Sequence, residues 1–165
     1  MEIVFTPWRW TYIKSTNNKG SGCALCAYLH GDDGLVVYRG RYCFIVMNKY
    51  PYNIGHVMIV PNRHVPSITD LSTEEIQECS ALLVAIVKAL MEVLGIDYED
   101  FDIGINIGRV SGAGIEEHMH IHVVPKPSAI RFTVTDPDSV ANQTREIAAR
   151  LRSTLRLMKV QVINT

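Results

Sequence analysis

Residues 118–125 read His-Met-His-Ile-His-Val-Val-Pro, and this run constrains the fold more than any other in the chain. Imidazole alternates with Met119, Ile121 and Val123, and a period of two predicts a β-strand. A strand advances about 3.3 Å per residue, so His118, His120 and His122 should leave one face at roughly 7 Å intervals while the aliphatic residues dock into a core. Imidazole is poor packing material, because each buried ring nitrogen needs a hydrogen-bond partner. Half of the chain's six histidines fall in this one run. The array is therefore expected to act on a ligand, a metal or both.

Patterning around this run predicts an α+β fold. Residues 35–38 and 42–48 are β-rich and joined across Arg39-Gly40-Arg41, a hairpin signal. Turn chemistry at residues 50–55 leads into a third strand over 56–60, ended by Pro61. Ser72 with Glu75 makes a capping box and Gly95 a stop. Between them Ile76, Cys79, Leu83, Val87, Leu90 and Leu94 recur at spacings of three and four, which predicts one long amphipathic helix. A strand over 101–107, a glycine-rich loop over 108–114 and the histidine strand follow. Asp136-Pro137 starts a last helix, running to about residue 157 with Ile147, Leu151 and Leu155 on its apolar face. The expected architecture is an antiparallel sheet of about five strands with one long helix and a C-terminal helix.

A chain of 165 residues with 47% apolar and 20% charged content is expected to form one domain over 1–165. Residues 1–22 would be an irregular arm with Trp8, Trp10 and Tyr12 as anchors, and 136–165 a helical extension. A net charge of −1 argues against a nucleic-acid polymer as partner. The excess of Lys and Arg after residue 125 suits an acidic subunit, a phosphate-bearing ligand or a plainly solvated helix face. No signal peptide is visible, and the longest strongly apolar run, 81–87, falls far short of the roughly 20 residues needed to span a bilayer. A cytoplasmic protein with no membrane partner is expected. Of the four cysteines, Cys43 and Cys79 read as core residues. Cys23-Ala-Leu-Cys26 has the spacing of structural zinc, but a reduced packing pair or a redox pair also fits it.

The motif His-x-His-x-His followed by apolar residues resembles the signature of the histidine-triad superfamily of nucleotide hydrolases and transferases. The resemblance extends to Tyr50-Pro-Tyr-Asn-Ile-Gly-His-Val-Met-Ile-Val-Pro-Asn-Arg-His64 and to Gly104-Ile-Asn-Ile-Gly-Arg-Val-Ser-Gly-Ala-Gly114. The opening Thr6-Pro-Trp-Arg-Trp-Thr-Tyr12, with a helix after the triad strand, is most similar to the diadenosine-polyphosphate phosphorylase branch.

This resemblance implies cleavage of dinucleoside polyphosphates such as diadenosine tetraphosphate at the α-phosphate, by phosphorolysis or hydrolysis. His120 would become covalently nucleotidylated, and His122 and His118 would complete the catalytic set. Neutral imidazole suits the part, since its ordinary pKa of about 6.5 leaves a lone pair at neutral pH. Asn48, His56 and Asn106 would contact the nucleotide. In the loop Ser111-Gly112-Ala113-Gly114, backbone N–H groups can approach an anion closely. Where many superfamily members carry Gln or Ser shortly before the nucleophile, this chain has Gly114, Ile115, Glu116 and Glu117, which favours the phosphorylase-like branch. Some members complete a zinc site with positions matching His64 and His118, giving Cys23, Cys26, His64 and His118 here, with His30 a rival ligand. No organic cofactor is implied. The expected ligand is a purine mononucleotide or dinucleotide, and the expected assembly a homodimer or larger homo-oligomer.

Other readings stay open at this level. One is a nucleoside phosphoramidase, which differs in leaving group. A second makes all three triad histidines ligands of one catalytic zinc, and a third is a nucleotide-binding regulator without turnover.

Overall fold

The computed structural model describes residues 6, 8, 22–31, 33–111, 114–126, 128–133 and 135–158. In chain order these form α1 (Ala24–Ala27), β1 (Val36–Arg39), β2 (Cys43–Met47), β3 (Val57–Pro61), α2 (Thr73–Leu94), β4 (Phe101–Ile105), β5 (Ile121–Pro125) and α3 (Pro137–Leu157). The strands make one open antiparallel sheet in the order β1-β2-β3-β5-β4. The α+β architecture is the one expected. Among the described residues no helix is long and apolar enough to cross a membrane.

β2 and β3 are the inner strands of this half of the sheet and are buried at every position. Cys43 touches Cys79 of α2, so alternate residues from Cys43 along β2 face the helix layer. Met58 and His122, paired across β3 and β5, belong to the opposite face and line a cavity there. Phe44, Ile45 and Val46 lie in the hydrophobic core.

α2 begins and ends as its sequence dictates. Ser72 accepts from the Glu75 backbone N–H while the Glu75 carboxylate takes the Ser72 N–H, and Gly95 closes the helix in the left-handed region at φ 68°. The buried stripe differs from the expected one. It runs through Glu75, Glu78, Cys79, Leu82, Ile86, Ala89, Leu90 and Val93, while Ile76 is 44% exposed. The stripe is rotated because two carboxylates are worth burying. Glu75 meets Arg63, and Glu78 accepts the backbone N–H groups of Arg41, Tyr42 and Cys43, stapling the β1–β2 hairpin to the helix. An apolar-only reading has no means of seeing those partners.

α3 starts as expected at Asp136, whose carboxylate accepts from Ser139 N–H, with Pro137 in the first turn. Ile147, Leu151 and Leu155 are buried. Three of its arginines reach backbone carbonyls elsewhere: Arg145 bonds Asp33, Arg152 bonds Gly34 and Val36, and Arg150 bonds Val93.

The histidine strand begins later than its alternation predicts. β5 starts at Ile121, so only His122 of the three lies within the ladder. Pairing of β5 with β3 stops at Ile59 and Ile121, and with β4 at Ile105 and Ile121, so residues 118–120 lie outside both ladders. Met119 N–H instead bonds Val65 O at 2.7 Å.

The turn before β3 is pinned from several directions. Gly55 has φ +78°, and a Cβ there would lie 2.7 Å from Leu94 Cδ1, so both backbone and space require glycine. Asn53 donates to Pro125 O and Ile130 O. Trp8 donates to Pro51 O at 2.7 Å and meets Phe132 edge-on, as an N-terminal anchor should. Trp10, Tyr12 and most of the 1–22 arm lie outside the described residues, as do 159–165.

Candidate functional site

On the sheet face opposite α2 lies a cavity of about 690 Å³. Its floor is Met58, His120 and His122, and α1 with the residues after it supplies one wall. Asn48, Lys49, Tyr50 and Tyr52 of the segment after β2 line it, as do Asn106, Gly114 and Ile115 of the glycine-rich connection.

Hydrogen bonding fixes which nitrogen carries the proton on each ring. His120 Nδ1 lies 2.8 Å from His118 O, and a carbonyl only accepts, so His120 is protonated at Nδ1 and keeps its lone pair on Nε2. Burial, the largest influence, pushes the His120 pKa below its ordinary value against the opposing effect of that bond. The ring is therefore neutral at pH 7 and nucleophilic at Nε2.

A second chain of bonds starts at Tyr52. Its backbone N–H donates to His56 Nδ1 at 3.0 Å, so neutral His56 carries its proton on Nε2. His56 Nε2 lies 2.9 Å from His122 Nδ1, which then accepts and leaves the His122 proton on Nε2. His56 is fully buried behind His122 and stacks on the Tyr52 ring. Asn48 Nδ2 lies 3.4 Å from His56 Nε2, too long to compete, while Asn48 Oδ1 accepts the Tyr50 N–H at 2.9 Å. With ring centroids 4.6 Å apart, His120 and His122 offer a lone pair and an N–H side by side.

His118 turns elsewhere and is not among the residues lining the cavity. Its Nε2–H donates to Pro61 O at 2.9 Å, and its Nδ1 lies 3.4 Å from both Cys23 Sγ and Cys26 Sγ. His64 Nδ1 is 3.3 Å from Cys26 Sγ. Ligand atoms of Cys23, Cys26, His64 and His118 all lie within 4.8 Å of one another. A tetrahedral zinc would place its sulfur and nitrogen ligands roughly 3.6 Å apart, close to the three sulfur–nitrogen separations here, so this donor set suits the ion. The Pro61 carbonyl orients the His118 ring as an outer-shell partner should. His30 is exposed and lies outside this group.

The sequence-predicted residues thus sort into two adjoining sites. His120, His122, Asn48, Asn106 and Gly114 line the cavity, and His56 stands directly behind it. Ser111 is exposed and its hydroxyl bonds Gly108 O, while Gly112 and Ala113 lie outside the described residues. Glu116 and Glu117 are exposed. Tyr28 and Lys49 line the cavity without having been singled out from sequence, and Tyr52 and Ile115 line it although the sequence reading gave them no contact role. Nothing in their local pattern marks them, although the aromatic density of 50–52 is a weak signal for a binding wall.

Comparison with known proteins agrees with this geometry. Residues 31–129 match the family model for the HIT domain. The chain is 31% identical to a Mycobacterium tuberculosis protein named AP-4-A phosphorylase over 98% of its own length and 84% of the relative's. It is 28% identical to a Schizosaccharomyces pombe bis(5'-nucleosyl)-tetraphosphatase (asymmetrical), over 57% of this chain and 50% of that one. Among solved structures, a zinc-bound histidine triad family protein from Mycobacterium smegmatis superposes with a TM-score of 0.67 at 26% identity, covering 84% of this chain and 96% of that one.

Proposed function

The chain belongs to the HIT domain family, and on that premise we propose that it cleaves dinucleoside polyphosphates at the α-phosphate through a nucleotide bonded covalently to His120. The observation that carries this reading is the pair of rings at the cavity floor, a neutral lone pair on His120 Nε2 beside an N–H on His122 Nε2. In the first step His120 Nε2 attacks the α-phosphorus, its lone pair forming the N–P bond as the P–O bond to the departing nucleoside polyphosphate breaks. The His122 N–H meets a phosphoryl oxygen as charge builds there. In the second step an acceptor oxygen displaces Nε2, and the imidazole regains its lone pair. Asn48, Asn106 and Gly114 hold ribose and phosphates, and the aromatic side chains of Tyr28 and Tyr52 suit a purine.

Phosphate as acceptor is supported by the named phosphorylase that matches nearly the whole chain, and by the cavity wall at Gly114 and Ile115, which offers no side-chain acid or base. Incubation with diadenosine tetraphosphate, with and without inorganic phosphate, tests it. ADP plus ATP formed only with phosphate is the expected result. ATP plus AMP formed in water would instead make the protein a hydrolase, and no turnover by either route would contradict the reading.

Cys23, Cys26, His64 and His118 would hold a zinc ion with a structural part, tying α1, the segment after β3 and the approach to β5. A dimer is supported by the open edge of β4, whose Ile103 is 49% exposed with Ile107 beyond it at 48%. Light scattering showing twice the 18.5 kDa chain mass would agree.

A further inference from the structure

One wall of the cavity comes from a segment with little regular structure of its own. Ala24, Leu25, Ala27 and Tyr28, followed by Gly31 and Asp33, face the space above His120 and His122. α1 has four residues, too few to persist by its own hydrogen bonds. Its inner side is pinned by Leu25, 1% exposed in the core, and its start by Cys23 and Cys26 in the Cys/His cluster. At the outer end Tyr28 and Leu29 pack partly against the core, and the chain then turns through residues 28–31.

That end is gripped by Arg39, the last residue of the edge strand β1. Its Nη1 donates to Tyr28 O and its Nη2 to Gly31 O at 3.0 Å, so one planar fork closes two carbonyls of the turn. Arg39 is exposed, is absent from the cavity lining and lies outside the hydrophobic core. Its polar contacts therefore serve the wall and not the core.

We propose that Arg39 is a positioning residue that sets the cavity's affinity for nucleotide by holding the wall of residues 24–31 in its binding position, without touching the ligand. The role rests on the nucleotide reading above. A ligand that must first order a wall binds more weakly in proportion to the fraction of time the wall is in place. Without the fork the two carbonyls turn to water, Leu25 keeps the segment attached, and the outer half of the wall spends less time in register. The nucleophile is held separately, by the His118 carbonyl, so binding weakens and the chemical step does not.

AMP titrated calorimetrically into the wild type, Arg39→Ala and Arg39→Lys tests this, together with amide hydrogen exchange and turnover of diadenosine tetraphosphate. Arg39→Ala should raise the AMP Kd and the substrate KM by roughly five- to tenfold, the equivalent of about one ordinary hydrogen bond. Its kcat should stay near wild type, its melting temperature nearly unchanged, and amides of residues 24–31 should exchange faster. Arg39→Lys, with a single ammonium for two carbonyls, should fall between. Unchanged AMP affinity in Arg39→Ala overturns the proposal, and so does a loss of affinity accompanied by a large fall in melting temperature. A wild type that binds no AMP and turns over no dinucleotide contradicts the nucleotide reading itself, and the role of Arg39 falls with it.

Discussion

His120 Nδ1 donates to the carbonyl of His118 across 2.8 Å, and this one bond joins the two halves of the site. Through its carbonyl His118 fixes the tautomer of His120, while through Nδ1 it faces the two cysteine sulfurs. A backbone segment only three residues long thus belongs to the Cys/His cluster at one end and to the cavity floor at the other. Replacing His120 by Ala removes the attacking atom, and turnover should fall by roughly 10⁴-fold or more. AMP binding should persist, since the cavity walls are untouched; calorimetry and product assays on one preparation check both halves.

His56 should matter without touching the ligand. Its Nε2–H is the donor that fixes His122 Nδ1 as an acceptor. His56→Ala removes that constraint, and kcat should fall by about tenfold, equivalent to about 1–1.5 kcal/mol, with KM less affected. Equal loss in KM alone would assign His56 to binding instead.

Zinc should bind once per chain and stabilise the fold. With free metal at about a thousand times its Kd, occupancy contributes about 4 kcal/mol, which corresponds to roughly 8–16 °C in melting temperature for a domain of this size. Chelation, or Cys26→Ser, should remove that increment. Elemental analysis and calorimetry before and after chelation make the measurement, and identical melting with and without metal would contradict a structural ion.

Much of the fold was legible from local chemistry. The Ser72–Glu75 capping box, the Gly95 stop and the Asp136–Pro137 start mark both long helices to within a residue, because those signals depend on neighbours in sequence. Cys23 and Cys26 lie with His64 and His118, as the resemblance implied. What failed to show was long-range. The α2 stripe turned toward Glu75 and Glu78 because Arg63 and three hairpin N–H groups receive them, and no window along the helix contains those partners. The three histidines divided between two sites because His118 is drawn to the Pro61 carbonyl and to Cys23, Cys26 and His64, partners distant in sequence. α1 went unseen because the four residues Ala24–Ala27 are too few to carry a periodicity.

Glu78 is the most informative stability probe. Its carboxylate is 3% exposed and accepts three backbone N–H groups from the β1–β2 hairpin. Glu78→Ala strands those donors, and stability should fall by about 3 kcal/mol or more, read by urea denaturation. A loss under about 0.5 kcal/mol, the range of an ordinary surface change, would deny the staple.

Acid should act partly through Glu75. The Arg63 guanidinium holds the Glu75 carboxyl below its ordinary value, outweighing the upward push of burial. A carboxyl depressed in the folded state contributes stability above its unfolded pKa of about 4.3, and that contribution is lost as pH falls through the folded value. Unfolding free energy should therefore decline below about pH 4 in the wild type, and less steeply in Glu75→Gln. Parallel slopes for the two proteins would contradict the linkage.

The most direct test of the central claim is recovery of the intermediate. Protein mixed with α-phosphate-labelled diadenosine tetraphosphate without acceptor is trapped by rapid denaturation under alkaline conditions, digested and sequenced by mass spectrometry. An adenylyl group on the peptide carrying His120, absent when His120 is replaced by Ala, is the predicted result. Full product formation with no label on any histidine, or with turnover undiminished in that variant, would contradict it.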